Sequence, residues 1–279
     1  MASNLVVSRG GVEYVPPISL AFWRWFFVIL ILLPFTYQKI FKNIKAFKKE
    51  WKKLFFLGAM GCGICGAFPF MAGVTTTVAN MGIIYTSSPI FIILISSYFY
   101  KERLNVIQFL GLALCFIGVV SIIAKGNLSL LISLKFTSGD LWMLGAAVGW
   151  ALYSVFLLNW KSKFSLFPRF TIIAFFGAVS LLPFSLIENF LFRPVIFDGG
   201  FYFWTMFAAI SPGIIAFSLY AQVQKQLGAS ITGFTLYLYT VYGAFYGIFI
   251  FHEQLQNYHY YGALLVFAGM FFVKKRIKN

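Results

Sequence analysis

Long apolar runs, separated by short polar stretches, occupy almost the whole chain. A membrane-spanning helix needs roughly 20 mostly apolar residues, and nine runs meet that requirement. They predict helices near residues 17–37, 54–74, 77–100, 105–124, 139–159, 167–187, 201–222, 229–251 and 259–274. A shorter apolar piece, Met1 to Val7, precedes them. It is too short to span a membrane, and it lacks the basic start and long apolar core of a signal peptide.

Composition agrees with this pattern. Of the 279 residues, 61% are hydrophobic and only 10% are charged, whereas soluble domains carry about 25% charged residues. A chain with so little charge is not a water-soluble enzyme, a disordered tail or a secreted disulfide scaffold. Cys62, Cys65 and Cys115 all lie inside apolar runs, and an odd, buried set argues against a disulfide framework. Cys62 and Cys65 fit better on a face of small residues that lets helices approach closely.

The charge is strongly one-sided. Lys and Arg number 22 against 7 Asp and Glu, which gives a net charge of +15. With nine spans and one half-span, 17 basic residues fall on one side of the membrane and 4 on the other, and Arg24 lies inside a helix. Excess Lys and Arg mark the cytoplasmic side, so we expect a cytoplasmic C-terminus and no nucleic-acid partner. The lysine run 39–53 could also attract anionic lipid, although a role in topology explains it sufficiently.

The chain contains an internal repeat. A shift of 151 residues superposes a set of residues in the first half on a set in the second half: Glu102, Leu104, Gly111, Phe116 and Gly118 on Glu253, Leu255, Gly262, Phe267 and Gly269. Each half then holds about five helices, and an odd number reverses the second half in the membrane. The sequence therefore predicts an all-α polytopic membrane protein of two inverted five-helix repeats, over residues 1–125 and 139–277.

The same register bears on the short opening piece. Met1 aligns with Leu152, about ten residues into the equivalent helix of the second half. The first of ten helices is therefore expected to lack its first half, through a misassigned start codon or a real truncation. Reading the gene upstream of Met1 would decide between the two.

These features resemble the EamA-type family of drug/metabolite transporters over nearly the whole chain. The resemblance rests on Pro16-Pro17, Leu20-Ala21-Phe22-Trp23-Arg24, Ser88-Pro89, Glu102-Arg103-Leu104, Gly111, Gly118, Gly149-Trp150-Ala151, Glu253-Gln254-Leu255, Gly262 and Gly269. The Trp-Gly pair usual in the first helix is missing, and Thr240 stands where the family has proline. The resemblance implies ten helices, a central cavity, and transport of a small organic metabolite, often efflux of amino acids or related compounds.

Two interrupted helices are the best pointer to a binding site. Ser211-Pro212-Gly213 maps onto Met60-Gly61-Cys62 at equivalent positions of the two halves. Proline removes an amide donor, and glycine leaves the backbone open to approach. In transporters built from repeats, such paired interruptions mark the substrate site. The alternative is that Gly61 and Pro212 only allow close helix packing.

Arg24 is the basic residue inside a span. It lies about 10 Å along the helix from Pro17, at 1.5 Å per residue. An intramembrane arginine usually faces a partner or water, so Arg24 could bind a substrate carboxylate or phosphate. It could equally extend its long stem towards the membrane surface.

Polar aromatic residues supply further candidates for the cavity wall. Three pairs lie three residues apart on one helix face: Tyr85 with Ser88, Trp150 with Tyr153, and Tyr237 with Thr240. By the family resemblance, these three helices line the cavity. Their rings and donors suit a partly apolar metabolite, although packing alone would also explain them. Asn4 and Ser3 in the short first helix have a weaker claim of the same kind.

Other chemistry is disfavoured. None of the seven acids is expected at the centre of a span, and none forms a close pair that could hold metal ions on phosphates. No glycine-rich phosphate loop with Lys-Ser/Thr occurs. His252 and His259 flank one turn, where interfacial positions are a better interpretation than a metal site. We therefore expect no enzyme activity, no cofactor and no metal.

The sequence thus predicts a multi-pass inner-membrane carrier that moves one small organic solute by alternating access. Its expected partners are the lipid bilayer and the solute, and a homodimer is left open. The competing hypotheses are a non-transporting scaffold or degenerate truncated transporter and, with less support, a membrane-embedded enzyme.

Overall fold

The computed structural model describes residues 2–100, 106–123, 127, 137–233 and 235–274. The first half contains five helical elements. They are α1 (Ser3–Val6, a π-helical turn Val7–Gly11, and Val12–Tyr14), α2 (Pro17–Lys42), α3 (Ile44–Leu57, a π-helical segment Gly58–Ile64, and Cys65–Gly73), α4 (Val78–Tyr85 and Ser88–Tyr100) and α5 (Val106–Ile123). Pro17 starts α2 at the first helical position, where its missing N–H costs nothing.

The second half repeats this order. Its elements are α6 (Ser138–Asn159), α7 (Leu166–Leu191), α8 (Gly199–Ala208, a π-helical segment Ala209–Ile215, and Ala216–Gly233), α9 (Thr235–Phe249) and α10 (Asn257–Lys274). All nine predicted helices are present, and the described residues include no strand. The repeat residues Glu102, Arg103 and Leu104 lie outside the described ranges.

Six helices among the described residues are long and apolar enough to cross a membrane, namely α2, α3, α4, α6, α7 and α8. The apolar helices α5 and α10 each have 18 residues, a length of about 27 Å at 1.5 Å per residue, close to the hydrocarbon thickness. The protein is therefore an all-α polytopic membrane protein.

Equivalent helices of the two halves pack against each other in opposite directions. Ser19 at the start of α2 accepts a hydrogen bond from Ser185 near the end of α7, with 3.1 Å between their Oγ atoms. At the other end of this pair, Thr36 Oγ1 donates to Thr171 Oγ1 at 3.2 Å. The same pairing joins α4 to α9 and α5 to α10. Antiparallel packing of equivalent helices is the geometry of an inverted repeat.

Two glutamates tie the second half to helix starts in the first. Glu188 at the end of α7 accepts hydrogen bonds from the backbone N–H groups of Ile18 (3.1 Å) and Ser19 (2.7 Å). Glu253, between α9 and α10, accepts from those of Val78 (2.9 Å) and Ala79 (3.2 Å). The first N–H groups of a helix have no partner within the helix, and a carboxylate there also complements the helix dipole.

The helix predicted near residues 54–74 begins ten residues earlier than expected and includes most of the lysine-rich connection. Asn43 alone separates α2 from α3, which begins at Ile44. Lys, Glu and Ala are good helix formers, and this segment is amphipathic. Ala46, Leu54 and Leu57 are buried, while the lysines are exposed.

Candidate functional site

Two π-helical segments interrupt the helices at equivalent positions. Gly58–Ile64 in α3 and Ala209–Ile215 in α8 begin 151 residues apart, the spacing of the sequence repeat. They contain Gly61 and Pro212, the two interruptions that the sequence singled out. A π-helical turn leaves backbone groups outside the regular α-helical pattern, and such turns are frequent at functional sites.

A small central cavity of about 30 Å³ lies between the two halves. Five of the predicted site residues line it: Asn4, Arg24, Tyr85, Trp150 and Pro212. Cys65, Pro69, Phe217 and Tyr239 complete the wall. This volume is close to that of one water molecule, so the cavity is closed to a metabolite in this conformation.

Arg24 is the charged residue of this cavity. Its side chain is 1% exposed. Nη1 donates to Asn4 Oδ1 at 2.7 Å, and Nε has no hydrogen-bond partner among the residues that the structure describes. The guanidinium also lies over the ring of Trp25, 4.2 Å from its centre. None of the hydrogen bonds among the described residues joins Arg24 to an acid, so its charge is balanced only by neutral dipoles and a ring. Such a buried cation favours the approach of an anion.

Aromatic rings form the rest of the wall. Tyr85 of α4 packs on Tyr239 of α9, with ring centres 4.8 Å apart. Trp150 of α6 packs edge-on against Phe217 of α8 at 5.3 Å. The cavity therefore combines one cation, one amide and several rings, a combination suited to a solute with an acidic and an apolar part.

Gly61, Ser88 and Tyr153 do not line the cavity. Gly61 lies against the ring of Tyr153, which a Cβ atom at Gly61 would overlap. Ser88 donates through Oγ to the Tyr85 carbonyl at 2.6 Å, where α4 is interrupted by a turn. Its hydroxyl serves the backbone there. The side chains of Tyr237 and Thr240 lie outside the part of the chain that the structure describes.

Sequence reasoning missed Tyr239, Phe217, Cys65 and Pro69 as cavity residues. The repeat could have indicated Tyr239, because the 151-residue shift maps Ser88 onto it. Phe217 lies two residues after the π-helical segment of α8 and contacts Trp25 as well as Trp150. Its position depends on the local helix geometry, which the sequence does not reveal.

A buried polar network away from the cavity was also missed. Asp140 is fully buried and accepts hydrogen bonds from the hydroxyls of Thr76 and Thr137 and from Asn80 Nδ2. His259 Nδ1 accepts from the Gln256 backbone N–H, so the ring proton lies on Nε2 and is donated to Asn80 Oδ1 at 3.0 Å. The imidazole of His259, in the first turn of α10, is thus held against Asn80, and its expected interfacial position stays a prediction.

Two inverted halves with paired interruptions around a central polar cavity define the class of membrane carriers built from repeats. The chain belongs to the EamA-like transporter family, whose model matches residues 1–124 and 137–274. It is 25% identical to an uncharacterized transporter of Archaeoglobus fulgidus over 97% of this chain and 92% of the relative. It is 28% identical to the uncharacterized transporter YyaM of Bacillus subtilis over 95% of this chain and 86% of the relative.

A protein of known crystal structure shares the fold, with a TM-score of 0.63 and 18% identity over 98% of this chain and 92% of that chain. Family membership and the names of the relatives support a general role in membrane transport. They also make an enzyme the weaker interpretation.

Proposed function

We propose that this protein exports a small organic metabolite with an acidic group, an amino acid or a related compound, from the cytoplasm across the inner membrane. The observation that carries this proposal is the burial of the Arg24 cation in the central cavity. Among the described residues, its Nε has no hydrogen-bond partner, and none of its hydrogen bonds goes to an acid. A solute carboxylate supplies the missing countercharge. The rings of Tyr85 and Trp150 then contact its apolar part.

Transport proceeds by alternating access. The present cavity of about 30 Å³ corresponds to a closed conformation, and rocking of one half against the other opens it to each side in turn. The π-helical segments Gly58–Ile64 and Ala209–Ile215 are the natural places for the helices to change shape. The charge asymmetry favours a cytoplasmic C-terminus and so orients the protein. The proposed direction of transport rests on the resemblance to a family that often exports amino acids and related compounds.

Counterflow in proteoliposomes tests this function. Vesicles loaded with one unlabelled amino acid are given a trace of the same labelled amino acid, and a set of amino acids is surveyed. Each amino acid is paired with its decarboxylated amine, for example phenylalanine with phenethylamine. We expect accumulation of an amino acid and none of its amine. Equal counterflow of both would remove the carboxylate from recognition, and product formation without flux would indicate an enzyme. Absence of both would favour a scaffold.

Orientation is tested separately. A single cysteine placed at exposed Lys48 is labelled with a membrane-impermeant maleimide in intact cells and in inverted membrane vesicles. We expect labelling only in the inverted vesicles. Labelling in intact cells would reverse the proposed topology and would leave the direction of transport to the flux measurement.

A further inference from the structure

A second pocket, of about 410 Å³, opens at one end of the bundle between α6, α7 and α8. Trp160 in its wall lies 5.7 Å from Lys53 Nζ, and Ser162 donates to Glu50 Oε2 at 2.6 Å. The pocket therefore lies at the end that carries the lysines of residues 39–53, here called the lysine-rich end. We call it the basic pocket and define it by Lys161, Arg169, Ser218, Gln224 and Lys225.

The basic pocket is built for an anion. Lys161, Arg169 and Lys225 line it, and none of the described residues in its wall is acidic. Glu50 at its rim is engaged by the Ser162 hydroxyl and the Lys163 backbone N–H. Arg169 is fixed by donating to the carbonyls of Leu157 (3.2 Å) and Trp160 (2.8 Å) at the end of α6. Its Nε and the Ser218 Oγ are buried, and neither has a hydrogen-bond partner within the described ranges.

A layer of aromatic rings separates this pocket from the central cavity. Phe217 lines both spaces, and Tyr153 lines the basic pocket beside it, with ring centres 5.8 Å apart. Tyr153 lies against Gly61, which belongs to the π-helical segment of α3. Phe217 lies two residues after the π-helical segment of α8. A change in either segment would therefore move this layer and connect the basic pocket to Arg24.

The opposite end of the molecule differs in charge. Its pocket, of about 630 Å³, is lined by Ile18, Gly73 and Val74, which the 151-residue shift maps onto Arg169, Gln224 and Lys225. Two arginines and two glutamates line this pocket, Arg9, Arg193, Glu13 and Glu188. The lining of this pocket is thus balanced in charge. The equivalent pocket at the lysine-rich end is lined by three basic side chains and, among the described residues, by no acidic one.

We propose that the basic pocket is a loading site that binds the oxyanion of the solute, a carboxylate or a phosphate, before the Tyr153–Phe217 layer opens towards Arg24. The direction of loading rests on the proposed export function, whereas anion binding at the pocket does not. A cleft lined by one sign of charge raises the local concentration of the opposite ion.

Cysteine reactivity tests the site directly. In a protein with Cys62, Cys65 and Cys115 replaced by alanine, Ala221→Cys, at a half-buried position of the pocket wall, is treated with a sulfonate-bearing or a trimethylammonium-bearing methanethiosulfonate. Each rate is divided by that of a small free thiol. At low ionic strength we expect the anionic reagent to react about tenfold faster than the cationic one, since charged clefts concentrate counter-ions by at least this factor. Ile187→Cys, in the opposite pocket, is the matched control, with a ratio near one.

Two further arms sharpen the test. Lys161→Gln with Lys225→Gln is expected to lower the ratio at Ala221→Cys several-fold without disturbing the anchor of Arg169, and Arg169→Gln is expected to lower it further. Inorganic phosphate and acetate serve as competing probes, and the one that slows the reaction identifies the oxyanion. Equal rates for both reagents, or no slowing by either probe, would overturn the proposal. Because the assay needs no flux, a protein that shows the ratio and the protection but no counterflow would refute the transport function alone.

Discussion

The two halves contribute different chemistry to one central cavity. The first half provides Arg24, with Asn4 as its hydrogen-bond partner, whereas the second provides the rings of Trp150 and Phe217 and the backbone break at Pro212. The repeat maps Arg24 onto Phe175, whose side chain is exposed on the surface of α7. The backbone plan has thus been kept in both halves, while the cavity lining has diverged.

The π-helical segments make the same point. They begin 151 residues apart, but the first contains Gly58, Gly61 and Gly63, whereas the second contains Pro212. Both halves therefore retain the π-helical interruption, although different residues produce it in each half. A cavity with a cation from the first half and rings from both halves, most of them from the second, suits a solute with two unlike ends, and cation and rings can be altered separately.

Replacing Arg24 should have the largest effect. Hydrogen bonds to a charged group contribute about 1.5–3 kcal/mol, so Arg24→Gln is expected to lower counterflow of an acidic solute roughly 100-fold. The same change removes a buried charge without a countercharge and should raise the melting temperature. This opposition between transport and stability distinguishes a binding role from a structural one.

The matched control is Lys48→Gln, which removes one positive charge at an exposed position. It should leave both counterflow and melting temperature unchanged. Normal transport by Arg24→Gln would show that the first half does not recognise the acid, and a lowered melting temperature would make Arg24 a structural residue.

Gly61→Ala should have the next largest effect, on stability. Alanine is favoured over glycine in a helix by roughly 0.5–1 kcal/mol, but overpacking a core costs about 1–3 kcal/mol. Overpacking should win, because the Tyr153 ring against Gly61 is itself confined by Trp150 and Phe217. We expect a melting temperature several degrees lower, measured by differential scanning fluorimetry. Gly199→Ala, where a Cβ meets open space, is the control. A more stable Gly61→Ala protein would mean that the Tyr153–Phe217 layer yields easily.

These residues also show what the sequence could predict. The 151-residue shift located both interruptions, and cost arguments singled out Arg24, because a buried cation in a membrane requires a reason. The sequence did not predict that Phe217 and Tyr239 line the cavity. The parts of the helices around them are largely apolar, so no polar face indicates which residues point inward. Ser88 was misleading for a related reason, since a hydroxyl in an apolar helix often bonds to its own backbone.

Trp150→Leu tests the contribution of the second half. A well-packed ring contact adds about 0.5–1.5 kcal/mol beyond its area, so the preference for phenylalanine over alanine in counterflow should fall up to about tenfold. The ratio of two solutes is independent of how much protein folds. Trp142→Leu on the same helix is the control, since Trp142 packs on Phe68 outside the cavity, with ring centres 4.8 Å apart. An unchanged ratio would remove Trp150 from solute recognition.

The smallest effect is expected from Glu188→Gln, at a tie between the halves that lies away from the cavity wall. The carboxylate accepts two backbone N–H groups at the start of α2, whereas the amide oxygen accepts one and its NH2 group opposes the other. A loss of about 1 kcal/mol follows, which should lower the melting temperature slightly and leave solute selectivity unchanged. Glu253→Gln at the start of α4 should behave alike, and the exposed Glu13→Gln should have no effect. A change in selectivity with either variant would mean that these ties act on the cavity, and the division of labour between the halves would then extend beyond the residues that line it.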